Sequence, residues 1–219
     1  MDKKSKSSKQ KLFDAYTTQV LENEKEPKSV FLFCKKIGIS EAEFYEHFGS
    51  LEHLKAQIFC VFFDNTHALI TKDSNYQSQS PQEKLLAFYF TFFEVLKLNR
   101  SYVLYVLNGS GTKLEKFAVL KDFRLVFKSF IVELIREGNA TKHTRFTQHP
   151  EALFSEGAWA QLLFLIKFWI DDTSPTFEKT DMAIEKSVRS VFDLFDNTPL
   201  DSIVDFGKFL FKEKIRWAN

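Results

Sequence analysis

A chain of 219 residues, 44% hydrophobic and 27% charged, is long enough to bury a real core and too apolar for intrinsic disorder. Lys plus Arg number 30 against 29 Asp plus Glu, so there is no overall excess of the kind many polyanion binders carry, and any basic surface is local. The 26 Phe against 7 Gly and 5 Pro favour long packed helices over sheets and tight hairpins.

The N-terminal MDKKSKSSKQ is charged and lacks the apolar stretch of a signal peptide, and the longest apolar run, Trp159 to Ile170 interrupted by Lys167, is short for a bilayer span. Cys34 and Cys60, each in an apolar stretch, read as two small buried hydrophobes in a reducing compartment. Together these features predict a cytoplasmic protein without a membrane span.

Residues 1–10 form a Lys- and Ser-rich arm, expected to be disordered. From Lys11, the spacing of Leu12, Ala15, Tyr16, Gln19 and Val20 predicts a first helix, closed by a polar run around Pro27. Ser29 can cap a short helix that Gly38 stops, and Ser40 can cap another over residues 41–48, with Glu43 completing a capping box. After Gly49-Ser50 a long helix follows through Leu69. Ser80-Pro81-Gln82-Glu83 combines an N-cap, Pro at the first helical position and Glu at the third, and opens a helix to about Leu98 that is apolar nearly all round. Further helices are predicted over 101–107, 112–136, 151–170, 177–195 and 200–214. The expected fold is all-α with about nine or ten helices: a helix-turn-helix module over 11–56, then a helical ligand-binding and dimerisation domain over 57–219.

Gly38-Ile39-Ser40 between two short helices is the turn of a helix-turn-helix, in which Gly accepts a left-handed backbone and Ile39 fills the angle. Ser29-Val30, Cys34 to Ser40, Phe44 to Ser50 and Glu52-His53-Leu54 resemble the DNA-binding signature of the tetracycline-repressor (TetR) family, ungapped and at its spacing. The resemblance covers roughly residues 11–60. It implies a dimeric regulator in which Ser29 touches a phosphate, Ser40 caps the recognition helix, and Tyr45 and His47 lie on the DNA backbone. Such contacts set register on the duplex.

The recognition helix departs from the family pattern. Glu41, Ala42, Glu43 and Leu51 stand where Lys or Arg, a small residue, Thr, and Lys are usual, and the stretch between Ser40 and His53 holds four Glu and no Lys or Arg. Carboxylates repel phosphates, and in base readout they mainly accept from the cytosine amino group, a role open to Glu41 and Glu43. Phe31 and Leu32 occupy usually polar positions. Buried they are core, the expected state; exposed they would suit a protein partner.

The resemblance also implies a small-molecule pocket among the helices starting near Pro81, Thr112 and Glu151. Phe88, Phe92, Tyr102, Tyr105, Phe127 and Trp159 are its candidate lining, suited to a hydrophobic ligand or lipid. Leu165, Phe168 and Trp169, with Ile184, Val188, Val191, Phe192 and Phe195, are candidates for a four-helix interface between two copies.

No nucleophile, base and orienting group converge in a catalytic motif, so no enzyme, cofactor or metal is expected. Residues 108–113 lack phosphate-loop spacing, and His143 and His149 lack ligand spacing. The sequence therefore reads as a TetR-like regulator binding double-stranded DNA and a hydrophobic small molecule. The other open reading is a TetR-fold ligand- or partner-binding protein that has lost specific DNA binding.

Overall fold

Side-chain caps set the helix boundaries at the front of the chain. In the computed structural model, which describes residues 8–109, 117–140 and 150–197, all regular structure is helical. Helices α1 (Ser8–Asn23), α2 (Val30–Ile37) and α3 (Glu41–Tyr45) build a small head, which α4 (Leu51–Ile70) leaves. The Ser29 hydroxyl accepts from Leu32 N–H at 3.2 Å, Ser40 from Glu43 N–H at 3.1 Å and Ser50 from His53 N–H at 3.1 Å. Each satisfies one of the orphan donors that open a helix. Gly38, at φ 74°, ends α2 in the left-handed region and returns its N–H to Cys34 O, so a side chain there would be strained.

In the head, two boundaries differ from expectation. Helix α1 begins at Ser8, inside the expected arm, and α3 ends at Tyr45 because Phe48 folds into the head core. The last turn of the predicted recognition helix survives as bonds from His47 N–H and Phe48 N–H to Phe44 O, both 3.0 Å.

The head core is built from rings. Phe13 meets Phe48 at 5.2 Å between centroids, Tyr16 meets Phe33 at 6.1 Å, and Phe33 meets Phe44 at 6.0 Å, all edge to face. Such pairs add about 1 kcal/mol each beyond the area they bury. Cys34 is buried beside them, and Cys60 is buried further on in α4; both are free thiols.

The expectation for Phe31 and Leu32 is overturned. They are 56% and 47% exposed, because Phe33 and Cys34 are the α2 residues turned inward and positions 31 and 32 fall on the opposite face.

Helix α4 runs without interruption across the expected boundary at 56/57. Leu51 and Leu54 lie near the head, while Ile58, Phe59, Phe62 and Phe63 are buried further along. The body adds α5 (Pro81–Leu98), α6 (Arg100–Asn108), α7 (Lys121–Ala140), α8 (Glu151–Asp171) and α9 (Glu178–Asn197), with short 3₁₀ turns at Tyr76–Ser78 and Pro175–Phe177. Both halves of a capping box form at Ser80 and Glu83, where the sequence predicts the N-cap and the Glu at the third position, whereas at Ser40, where the sequence predicts a capping box, only the bond from Glu43 N–H to the Ser40 hydroxyl is present. Helices α4 and α5 pack together, α7 lies on α4, α5 and α8, and α9 covers α5 and α8, while α6 reaches back to α1. The helix predicted over 200–214 lies outside the described residues, as does Thr112; the helix predicted over 112–136 is observed as α7, which begins at Lys121 after a turn at Leu120 and continues to Ala140.

The apolar run 159–170 sits in α8, which by length and composition could cross a membrane, although 44% of its apolar window is buried. Trp159, Leu162, Leu165, Ile166 and Trp169 form its buried side, as in the core helix of a folded domain.

A polar corner joins α8 to α9. Arg100 donates to Trp169 O and Ile170 O, both at 3.2 Å, while its guanidinium lies 4.4 Å from the Trp169 ring and 4.5 Å from the Phe177 ring. One cation thus meets the carbonyl end of α8 and two aromatic faces. Thr176 and Phe177 both adopt positive φ, 55° and 67°, a strained backbone that the surrounding contacts hold.

Asp172 completes the corner. Its carboxylate accepts from Ser174 N–H and hydroxyl at 2.8 and 2.7 Å, and from Thr180 N–H and hydroxyl at 2.9 and 2.7 Å. Burial alone would raise its pKa, but these bonds outweigh that effect and bring it from 3.8 to about 2. Its contribution to stability is present above the unfolded value and is lost as pH falls through the folded one. Acid unfolding followed by circular dichroism is therefore expected to lose stability between about pH 4 and about pH 2, with Asp172→Asn less stable at pH 7 and flatter across that window. An unchanged slope in the variant would remove Asp172 from this role.

Candidate functional site

The two N-caps Ser29 and Ser40 place the candidate DNA-facing residues. Ser29 and Ser40 are exposed at the starts of α2 and α3, Glu41 and Glu43 are half-buried in the first turn of α3, Tyr45 is 52% exposed, and His47 is half-buried beside Phe48. Phe33 against Phe44 holds α2 to α3, so the structure brings the six predicted residues onto two adjoining short helices and the turn that follows. Sequence reading missed the exposure of Phe31 and Leu32, which together with exposed Tyr45 makes the surface of the head partly apolar.

Its charges are nearly balanced in number, with Glu41, Glu43 and Glu46 on α3 and the turn after it and Lys28, Lys35 and Lys36 on α2 and its approach. Between residues 8 and 56 there are seven Lys and no Arg, against eight Asp plus Glu. Lys36 pairs with Glu22 and Lys55 with Glu26, whereas no ion pair reaches Glu41, Glu43 or Glu46 among the described residues. Burial, followed by the nearby carboxylate of Glu41 and then that of Glu43, pushes the Cys34 thiol up. Lys28, next to the Ser29 cap, and Lys35 remain as exposed cations of α2 and its approach.

The six candidate pocket residues separate into two groups. Phe88, Phe92, Phe127 and Trp159 belong to one buried aromatic cluster: Phe88 stacks on Phe92 at 5.5 Å, meets Phe127 at 5.5 Å, and Phe127 meets Trp159 at 6.1 Å. Phe63, Phe123 and Phe130 complete that cluster, at 5.5 Å from Phe88, 5.2 Å from Phe92 and 4.9 Å from Phe88 respectively. The spacing of Phe123, Phe127 and Phe130 along α7 was the available sequence signal for the last two.

Tyr102 and Tyr105 instead sit on α6, in the electrostatic neighbourhood of Tyr16 and Glu26. The Tyr102 hydroxyl is buried and makes no hydrogen bond among the described residues, and burial holds its pKa well above the ordinary value. Tyr89, also fully buried, reaches Gln161 Oε1 at 3.3 Å. An open hollow of about 280 Å³ lies elsewhere, between α1 and α2, lined by Asp14, Ala15, Thr18, Gln19, Glu22, Lys36 and Ile37.

Of the candidate interface residues, Leu165, Trp169, Ile184 and Val188 are turned into the core of their own chain. Phe168, Val191 and Phe192 are half-buried, and the side chain of Phe195 lies outside the described residues. The outer side of α8 carries Leu153 and Phe164, the latter 56% exposed and in ring contact with Phe168 at 6.2 Å. On α9, Met182 is exposed.

A capped helix-turn-helix head, carried by one long helix onto an all-helical body, defines a class of two-part helical proteins. Residues 84–210 match the tetracyclin repressor-like C-terminal domain, and the chain belongs to the TetR family of transcriptional regulators, for which DNA binding and ligand binding are typical. No curated protein matches the sequence. Among solved structures, a TetR-family regulator from Syntrophomonas wolfei superposes with a TM-score of 0.66 at 15% identity, covering 84% of this chain and 94% of its own. A TetR-family regulator from Shewanella sp. PV-4 gives 0.55 at 17% identity, covering 88% and 97%. The fatty acid degradation regulator FadR of Bacillus halodurans gives 0.53 at 17% identity, covering 84% and 95%. At these identities the likeness concerns the fold.

Proposed function

We propose that this chain is a homodimeric, ligand-responsive transcriptional regulator acting in the cytoplasm, with double-stranded DNA at the head and a hydrophobic small molecule in the body. The observation that carries the reading is the capped α2–turn–α3 unit in a chain of this family. A dimer would set two α3 helices about 34–36 Å apart for successive major grooves. Ser29, Ser40, Tyr45 and His47 would then meet the backbone, and Glu41 and Glu43 the base edges. The family's output is transcriptional control, so no catalytic role is proposed.

Glu41, Glu43 and Glu46, which no ion pair reaches among the described residues, favour a second reading, in which the body still binds a lipophilic ligand while specific DNA binding is lost. Fluorescence anisotropy on a duplex of about 30 base pairs from the protein's own upstream region separates the two. The regulator reading expects binding at low salt, tightened about tenfold or more in Glu41→Lys/Glu43→Lys as phosphate contacts are gained. No binding of the upstream duplex at micromolar protein supports the second reading.

For the ligand, the aromatic cluster of α5, α7 and α8 favours an apolar molecule, as does the analogy of a fatty acid regulator sharing the fold. Native mass spectrometry of the purified protein is expected to retain an extractable apolar compound. A body that stays empty, and shows no thermal shift with medium- and long-chain fatty acids, would sink this part of the proposal.

For the dimer, Phe164 with Phe168, together with Leu153 and Met182, forms the apolar outer face of α8 and α9 available to a second copy, and Val191 and Phe192 stand at its margin. Leu165, Trp169, Ile184 and Val188 would support it from behind. Sedimentation is expected to find a dimer at micromolar concentration, with Phe164→Glu shifted to monomer and still helical. A wild-type monomer would reject the interface.

A further inference from the structure

Lys84 is a buried cation whose counter-ion is not buried. Its side chain, at the start of α5, is 5% exposed and donates to Glu137 Oε1 at 2.6 Å, whereas the Glu137 side chain is 43% exposed. An ammonium carries three donors, and among the described residues the one on Lys84 has Glu137 as its hydrogen-bond partner and the face of the Tyr76 ring, 5.5 Å to the centroid, as its other neighbour. A cation held in the interior must stay paired, while a half-exposed carboxylate exchanges its partner for water at little cost. The pair is therefore exchangeable from one side: Lys84 stays and Glu137 can leave.

The position of Lys84 gives that exchange a meaning. It lies one helical turn from Phe88 on α5, and His67 lies one turn from Phe63 on α4. His67 stacks on Phe63 and meets Phe130 edge to face, both at 6.0 Å, and Phe130 meets Phe88 at 4.9 Å. The aromatic cluster of the body thus ends in Lys84 and His67. In the other direction it runs on through apolar rings, with Phe92 against Phe123 at 5.2 Å and Phe123 against Trp159 at 5.7 Å. Along α5 the distance from Lys84 to Phe92 is about 12 Å at a rise of 1.5 Å per residue.

An elongated apolar interior with a buried cation at one end matches a molecule of the same polarity. A neutral head group gains nothing from Lys84, and a cationic one is repelled. A carboxylate already sits on the ammonium, so a second carboxylate meets a geometry that is in place. Glu133, one turn before Glu137 on α7, is exposed, and water screens its charge.

We propose that Lys84 is the head-group site of the body: it takes the carboxylate of a medium-chain aliphatic acid in place of Glu137, with the chain lying along Phe88, Phe92 and Phe127. The inference rests on the body holding an apolar ligand, as proposed above, and adds the charge of that ligand, its length and its direction. Binding exchanges the ion pair between α5 and α7 for one within the complex, and Glu137 passes into solvent.

The test is calorimetric titration of the full chain at neutral pH with decanoate, 1-decanol and decylamine. Wild type is expected to bind decanoate at least about tenfold more tightly than decanol, the worth of a hydrogen bond to a charged group, and decylamine no more tightly than decanol. Lys84→Met is expected to lose the preference for decanoate while binding decanol as wild type does, and Glu137→Gln, which removes the competing carboxylate, to tighten decanoate alone. Circular dichroism establishes that each variant is folded, and Glu137→Gln decides the matter if Lys84→Met is not.

A Lys84–Glu137 pair that serves only to tie α5 to α7 predicts a lower melting temperature in Lys84→Met with the preference for decanoate intact, and that result would overturn the proposal. Equal affinity for decanoate and decanol in wild type would also overturn it, and would leave the apolar-ligand reading standing. Binding of neither would remove both.

Discussion

One continuous helix serves both parts of this molecule. Helix α4 is capped by Ser50 beside the head, then buries Ile58, Phe59, Phe62 and Phe63 further along without a break in its backbone hydrogen bonds. An unbroken helix of 20 residues transmits orientation, since bending it would require a Pro, a bulge or an inserted group. Gln57 adds a lateral tie, donating to Asp122 near the start of α7 at 3.0 Å. The placement of α2 and α3 is therefore set largely by how α5 and α7 hold α4.

The high phenylalanine content explains how a protein with so few breakers still has specific packing. Rings on α4, α5, α7 and α8 meet at centroid distances between 4.9 and 6.5 Å and at varied tilts, from stacked Phe92–Phe123 to T-shaped Phe123–Trp159. A flat ring has few rotamers and a directional quadrupole, so each pair fixes the relative rotation of its helices more than an aliphatic contact would. Several polar groups that enter the interior are tied down: buried Lys84 donates to Glu137 at 2.6 Å and lies over Tyr76, and Tyr89 reaches Gln161, whereas the Tyr16 and Tyr102 hydroxyls find no hydrogen-bond partner among the described residues.

The parts of this architecture legible in the sequence are those decided within one or two turns. Ser29, Gly38, Ser40, Ser50 and Ser80 act on backbone groups three to five residues away, so their roles follow from local chemistry. Inward faces follow from spacing. What spacing does not give is the partner of each face. Leu165 and Ile184 read as stripes suited to a second chain, yet their own chain covers them; Tyr102 reads with Phe88 as one pocket, yet α6 turns it toward α1. Phe31 and Leu32 went the other way, because hydrophobicity alone does not reveal that Phe33 and Cys34 already fill the inner side of α2.

The seam between α1 and α6 carries the Tyr102 hydroxyl, which has left water without gaining a partner among the described residues. A buried donor in that state costs roughly 1–3 kcal/mol, and hydration returns as soon as the two helices part. Contacts at this seam are therefore easier to separate than the ring-on-ring contacts inside head or body.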